Sequence, residues 1–298
     1  MTVSQGRSEV YGEELKNEME VNLGETQIVE LQATYSSEQI QGMALSKRVD
    51  AFGQMAKLLQ RPKPEDIQIV TIQHQYEPFW HVAAGSHYVY ERKSTYKVDV
   101  AAPEVRTVII QDKEYPVAQD RTRSIDVEVE ERCEESLRRD LTLDAQSGEE
   151  VDFRRYLTSP QLAIPNIAVL QQTGSIVILP EVRSSFVVRR VIPMLMKTFH
   201  ADKVLEESIN VETITLCFRP TYAVEYNWAA KQKKQVLVFD ALSGTSKAVT
   251  GELRRQVARV LDNDMLFDIG ADAIGTIIPG ANVAIKLGRF AVRKALNN

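Results

Sequence analysis

The chain has 298 residues, 44% of them hydrophobic and 26% charged, with 36 Lys and Arg against 41 Asp and Glu for a formal net charge of −5. That is the composition of a soluble globular protein; it excludes collagen-like and wholly disordered chains. The mild acidic excess argues against bulk nucleic-acid binding, which leaves a basic footprint, and at roughly 100–200 residues per domain the length suggests about two domains.

The opening stretch, MTVSQGRSEVYGEEL, has no apolar run after its first charge, so no secretory signal is expected. No window reaches the roughly 18–20 consecutive apolar residues of a spanning helix. The two cysteines, Cys133 and Cys217, are too few for a disulfide framework. Reduced core thiols are the simpler reading, with a single disulfide as the alternative. A cytoplasmic protein is the expectation.

Residues 1–30 are polar and acidic, and Gly12–Val21 is a short helix candidate. From Ser36 to Gln60, Ile40, Met43, Ala44, Val49, Phe52, Met55, Leu58 and Leu59 recur at spacings of three and four, the stripe of a helix against a core. Arg61-Pro-Lys-Pro64 ends it. From Ile67 the period becomes two: Val70, Ile72, His74, Tyr76, Pro78, Trp80 and Val82 share one parity, the mark of a half-buried strand. Further strand-like runs follow at 88–90, 96–100, 106–110 and 125–129, with Gln111–Glu114 as a hairpin turn. Glu130–Arg139 is charged and helix-prone, Ser175–Leu179 is a short strand, Ser184–Phe199 is ambiguous between strand and helix, and Asp202–Ile209 reads as a short helix.

The clearest element is Thr213–Trp228. Ile214, Leu216, Phe218, Pro220, Tyr222, Val224, Tyr226 and Trp228 occupy every even position, so these should be buried and the odd positions exposed. Such a strand would extend about 50 Å, and a bend or bulge is expected at Pro220. A basic turn, Lys231-Gln-Lys-Lys234, leads to a return strand, 236–239, and then to Asp240-Ala-Leu-Ser-Gly244, whose residues suit a tight turn.

The chain echoes itself. With Pro78 set on Pro220, Phe79-Trp80 lies on Thr221-Tyr222, Val82 on Val224, and Asp99 within one residue of Asp240. Upstream, Lys57 falls near Lys197. This predicts two copies of a helix–strand–strand unit, with turns at Glu91–Ser94 and Lys231–Lys234. A separate echo pairs Asp144-Ala-Gln-Ser-Gly148 with Asp240-Ala-Leu-Ser-Gly244. The expected fold class is α+β: two similar β-rich units with helical N- and C-terminal segments. The divisions are 1–44, a polar and helical segment; 45–130, the first unit, its repeated part running to 118; 131–184, a connection; 185–249, the second unit; and 250–298, a helical hairpin.

The second unit, closing on Val238, Asp240, Ala241, Ser243 and Gly244, resembles a PepSY-type domain, whose return strand ends in a similar Asp-Ala turn. The resemblance implies a small α+β module that binds or inhibits proteins rather than catalysing a reaction. PepSY-like modules are mostly extracytoplasmic. With no signal sequence expected here, the α+β shape carries over and the inhibitory role does not.

Candidate chemistry is sparse. His74, His81 and His87 fall close together and invite a metal reading, which Cys133 could join only through tertiary folding. On one continuous strand, however, His81 and His87 would sit about 20 Å apart and His74 on the other face. No nucleophile elbow, zinc-protease helix or P-loop occurs. The acidic clusters Glu128–Glu135 and Glu149–Asp152 read as solvated faces. Aromatic residues on the repeat strands, with Arg92, Lys93, Lys231, Lys233 and Lys234, could in principle form a single-strand nucleic-acid platform. Their parity instead places the rings inside.

In the C-terminal segment, 250–263 reads as an amphipathic helix, and Pro279-Gly280 separates helix candidates at 264–277 and 281–296. In the last, Ala284, Gly288, Ala291 and Ala295 make a close-packing stripe beside a basic stripe of Lys286, Arg289 and Arg293. These are the candidate interaction residues. The leading expectation is a non-enzymatic protein-binding or scaffold protein, with a protein partner or a second copy as ligand and no cofactor. The alternatives are a metal-dependent enzyme using the histidine region and a membrane-acting effector using the C-terminal hairpin.

Overall fold

The computed structural model describes residues 19–119, 122–249 and, in backbone only, 283–287. In chain order the elements are β1 (Met19–Leu31), α1 (Ser37–Lys47), α2 (Gly53–Gln60), β2 (Ile67–Asp99), β3 (Thr107–Ile110), β4 (Lys113–Pro116), β5 (Ser124–Asp144), β6 (Gln161–Ile164), α3 (Ala168–Gln171), β7 (Ile176–Val177), α4 (Ser184–Val191), β8 (Lys203–Trp228), β9 (Lys233–Asp240), β10 (Ser246–Val249) and β11 (Val283–Leu287). The chain is α+β.

Two long strands, β2 and β8, run antiparallel down the middle of one sheet, paired from Ile67↔Trp228 to Glu91↔Lys203. β5 lies along the outer edge of β2 from Phe79 onward, after β7 has paired with Gln75 and Tyr76. The far edge of β8 is likewise shared: β1 runs parallel to 208–218 and β9 antiparallel to 221–228. Pro78 and Pro220 therefore each sit where one neighbouring strand gives way to another, a place that tolerates a residue without an N–H. No bulge occurs at Pro220; the register shifts instead between Ile69 and Thr71, between Ala83 and Ala84, and between Val89 and Tyr90. At the second shift Glu212 is the extra residue, and Gly24 of β1 lies against it. A Cβ on Gly24 would stand 2.1 Å from the Glu212 carbonyl oxygen.

α1 and α4 lie on one face. α1 starts at a capping box, in which the Ser36 hydroxyl accepts from the Gln39 N–H and the Gln39 side chain accepts from the Ser36 N–H. It buries Ile40 and Ala44 with Val224, Tyr226, Leu237 and Phe239 of β8 and β9, and the Tyr226 hydroxyl donates to the Ala44 carbonyl at 2.9 Å. α4 buries Val187, Val188 and Val191 in a cluster with Trp80, Val82, Leu141 and Leu143 of β2 and β5. α1, on the N-terminal side of β2, thus covers the β8–β9 hairpin, and α4, on the N-terminal side of β8, belongs with the β2–β5 hairpin.

The turns that close the two hairpins are built alike. Asp144 lies opposite Phe79 and Asp240 opposite Thr221, each one residue past a proline. The Ala145 N–H donates to the Pro78 carbonyl and the Ala241 N–H to the Pro220 carbonyl. Asp144 Oδ1 accepts from the N–H groups of Gln146 and Ser147, Asp240 Oδ1 from those of Leu242 and Ser243. Each turn ends on a glycine in the left-handed region, Gly148 at φ 74° and Gly244 at φ 69°. The Ala145 carbonyl accepts from Glu181 and Val182 just before α4; the Ala241 carbonyl accepts from Thr34 and Tyr35 just before α1.

Several expectations are corrected. Residues 67–99 form one 33-residue strand, with no turn at Glu91–Ser94; the strand that returns along β2 is β5, and the turn built like that at Asp240 starts at Asp144, not at Asp99. Glu130–Arg139 is strand, not helix. Its charges protect a sheet edge: among the described residues β5 pairs only with β2, and a charged edge resists further pairing. The expected boundary between 130 and 131 falls inside this strand. Asp202–Ile209 also joins a strand, β8, because its pairing with β2 outweighs local helix preference. Met19–Val21, the end of the first helix candidate, begins β1; the rest of that candidate lies outside the described residues. The helix over 36–60 breaks at Arg48–Phe52, and its second half exposes the stripe expected to be buried. Over 213–228 of β8 the even positions are buried except Tyr222, which is half-buried, but Thr215, Cys217, Arg219, Thr221 and Ala223 are buried too, because this central stretch is covered on both faces. Gln111 and Asp112, both with positive φ, make the two-residue turn of the β3–β4 hairpin, as the sequence suggested.

Candidate functional site

The middle of the sheet's second face, opposite the helices, holds a buried ionic cluster. Glu77 and Arg219 are direct cross-strand partners, and the Arg219 Nη2 donates to Glu77 Oε2. The other arm of the guanidinium, Nη1, donates to Asp240 Oδ2 at 2.9 Å. The Tyr156 hydroxyl donates to the same oxygen at 2.5 Å, and Arg155 donates to the Tyr156 hydroxyl at 2.9 Å. The Phe153 ring lies 4.5 Å from the Arg219 guanidinium carbon, which adds a cation–π contact. Phe79, Cys217, Val29, Leu31 and Leu242 close round the cluster, and burial pushes the Cys217 thiol far up. Both Asp240 oxygens are engaged by donors. Such a network acts as a clamp on the junction of β2, β8 and β9. Its sequence signal was the opposite charges immediately before the two echoing prolines, Glu77-Pro78 and Arg219-Pro220.

The histidines separate. His74 lies on the helix side, its Nδ1 2.6 Å from the Ser175 hydroxyl and its ring between those of Tyr76 and Tyr222. Burial lowers its pKa, with the Glu30 carboxylate acting against that. The Tyr76 hydroxyl donates to Glu30 at 2.6 Å, and burial raises that phenol. By strand alternation His81 and His87 lie on the other face, His81 beside Asp140 at 3.2 Å and His87 with Ser136 at 3.1 Å. Cys133 stands opposite Tyr90, away from them. Among the described residues no three His, Cys, Asp or Glu side chains are grouped to hold a metal ion. The aromatic residues Tyr76, Trp80, Tyr88, Tyr90, Tyr226 and Trp228 are buried and offer no stacking platform. Arg92 and Lys93 lie within β2 rather than at a turn.

Of the C-terminal candidates, Ala284 and Lys286 lie in β11, paired parallel with Glu20 and Asn22 of β1. The helix expected over 281–296 is therefore interrupted by strand, and a helical stripe cannot include them. Gly288, Ala291, Ala295, Arg289 and Arg293 lie outside the described residues. Among the described residues no helix is long and apolar enough to cross a membrane.

The surface that remains is a projecting ribbon. β8 stops pairing at Glu91, and β2 continues through Asp99 with β5 as its partner along 124–131. Eight residues of strand project about 25 Å. One side carries cross-strand charge pairs, Lys93 with Glu130 and Lys97 with Asp126. The other continues the core-facing parity with Tyr96, Val98, Val127 and Val129 and has no helix over it. Tyr96 and Val98 are 52% and 46% exposed, too much for core side chains. The ribbon is stiffened from below: the Tyr90 and Phe199 rings stack at 4.5 Å, Glu135 accepts from Lys197 and Tyr90, and Glu131 accepts from Arg92 and Tyr96. Those donors hold both carboxylates below their ordinary pKa, led by Tyr96 for Glu131 and by Lys197 for Glu135. Beyond it the β3–β4 hairpin exposes Ile109 and Ile110. No protein-family model, curated protein or solved structure matches the chain.

Proposed function

We propose that this is a non-enzymatic protein-binding and assembly protein whose binding organ is the β2–β5 ribbon. The observation that carries the reading is the apolar side of that ribbon, where Tyr96 and Val98 are exposed beside half-buried Val127 and Val129, held out beyond β8 by an ordered framework. Apolar side chains gathered on one exposed face mark interaction sites.

The framework itself is two copies of one helix–strand–strand–turn unit. Five matched features support this: the helix starts at Ser37 and Ser184, the prolines at 78 and 220, the strand ends at Asp144 and Asp240, the glycines at 148 and 244, and the paired N–H groups on Ala145 and Ala241. The equivalent residues Glu77 and Arg219 pair with each other, so they lie on the axis that relates the units. In the second unit the strands are joined by residues 229–232; residues 87–136 stand in that place in the first. The ribbon is thus what one unit has and its twin lacks. The small PepSY-like shape belongs to the same reading, and so does a cytoplasmic setting, supported by Cys133 and Cys217 being free thiols.

The test is affinity purification from the native cell with the wild-type chain and with Tyr96→Asp/Val127→Asp. A stoichiometric protein held by the wild type and lost from the variant is expected. The same proteins retained by both chains would contradict the assignment of the ribbon.

A further inference from the structure

α4 buries Val187, Val188 and Val191 against the sheet and turns its other side outward. Two hydrogen bonds fix how it lies. The Trp80 indole donates to the Val182 carbonyl just before the helix, and the Tyr88 hydroxyl donates to the Leu195 carbonyl just after it. The helix thus runs alongside 80–88 of β2. Its last turn exposes Arg189 and Arg190, and the chain beyond it exposes Met194 and Met196, at 39% and 37%. Arg139 joins them from β5. It sits opposite Ala84, midway along the helix, and shares its strand parity with Leu137 and Leu141 of the cluster beneath α4.

Basic residues in a last turn suit the helix dipole, but that does not account for this face. From Val182 to Ala201 the chain carries Arg183, Arg189, Arg190 and Lys197 and no acidic residue, in a protein of net charge −5. Among the described residues Arg139, Arg189 and Arg190 have no carboxylate partner; Arg139 donates to the Arg138 carbonyl and Arg189 to the Ser185 carbonyl. Arg92, Arg132, Arg138, Arg154 and Arg219 each pair with a carboxylate. The carboxylates at the margin do not answer them. Glu135 is held by Lys197 and Tyr90. Glu149, Glu150 and Glu181 lie at the other, N-terminal end of the helix, where Phe186 lies against Gly148.

We propose that this face, Arg139, Arg189, Arg190, Met194 and Met196, docks on the surface of an anionic phospholipid bilayer. Guanidinium groups bind phosphate through paired N–H donors, and the flexible, apolar methionine side chains fit irregular gaps such as those between headgroups. α4 stands on the sheet with no described element over it, so the face is convex. A convex face suits a lipid surface, whereas a docked peptide helix needs a groove. The contact is peripheral, with apolar side chains at headgroup depth and basic ones beside the phosphates.

The experiment is flotation of the full chain with vesicles of phosphatidylcholine alone and of phosphatidylcholine mixed with phosphatidylserine. The wild type is expected to float with the anionic vesicles, to leave them as salt is added, and to ignore the neutral ones. Arg189→Gln/Arg190→Gln should bind about 25-fold more weakly, because each basic side chain at such a surface is worth about fivefold. Met194→Ser/Met196→Ser should also bind more weakly, with the charge unchanged. Lys231→Gln/Lys233→Gln removes the same charge from the β8–β9 turn and should bind as the wild type does. All these positions are exposed, so circular dichroism of each variant should match the wild type. A wild type that floats with neither vesicle, an arginine or methionine variant that floats as well as the wild type, or a lysine variant that loses as much as the arginine one would each overturn the proposal. An acidic protein held by the wild type and lost from the arginine variant, with no flotation, would overturn the lipid surface as occupant.

Discussion

The β8–β9 hairpin turns immediately after Trp228, and β8 is enclosed by helix and sheet neighbours on one side and by the Arg154–Thr158 turn on the other. The β2–β5 hairpin starts from its own proline, Pro78, and ends on the same kind of turn, yet runs on well past the last pair with β8, Glu91 with Lys203. Inside the shared frame both hairpins bury aromatic and aliphatic residues under a helix. Beyond it the first hairpin keeps the same alternation with no helix over it, and burial thins out: Ile125 is still buried, whereas Tyr96 and Val98 are about half exposed. Alternation therefore records which way a side chain points, and the neighbouring elements decide whether it becomes core or contact surface.

The sharpest way to break the frame is at its centre. Arg219→Met leaves Glu77 and Asp240 as buried carboxylates without their cation, and a loss of about 3–5 kcal/mol is expected in a denaturant melt. Next comes Gly24→Ala, where a new Cβ meets the Glu212 backbone at the β8 bulge; about 1–3 kcal/mol of overpacking should appear in the same assay. The paired turns can be compared directly. Gly148→Ala and Gly244→Ala should each lose about 1–2 kcal/mol for a left-handed residue. The loss should be larger at Gly148, whose Cβ would also crowd Phe186 at 2.7 Å, against 3.1 Å to Tyr35 at Gly244. Equal stability of both variants and the wild type would break the likeness of the turns. On the ribbon, Val98→Glu should stay within about 0.5 kcal/mol of the wild type, as an exposed site does.

The smallest effect concerns pH. Burial holds His74 below the usual 6.5, so the unfolded chain takes up that proton first. The stability it contributes is full above 6.5 and is lost as pH falls through its folded value. His74→Gln should accordingly lose less stability than the wild type between about pH 7.5 and about pH 5.5. An identical loss in both proteins would remove His74 from the account.

Much of this was legible from local pattern. A stripe from Ile40 onward marked the first helix, and period-two alternation marked Thr213–Trp228 of β8 and the first half of β2. The Asp-Ala-x-Ser-Gly echo was visible as well. What misled was non-local. The charges of 130–139 resemble a solvated helix until a partner strand is present, and only pairing with β2 makes them an edge. The strand that returns along β2 lies beyond a long excursion, so the sequence set Asp99 against Asp240, whereas the turn with the same hydrogen bonds starts at Asp144. The Glu77–Arg219 clamp was hidden because its residues are 142 positions apart and meet only through sheet register. α2 looked like core because its stripe is genuine, and nothing in its own residues says whether another element covers it.

Hydrogen exchange of the full chain, read by mass spectrometry, tests the central claim most directly. The frame, 79–84 with 141–144 and 221–226 with 235–240, should exchange slowly. The ribbon, 92–99 with 124–131, and α2 should exchange faster. Protection of ribbon and α2 equal to that of the frame would contradict the division into a closed frame and an open contact surface.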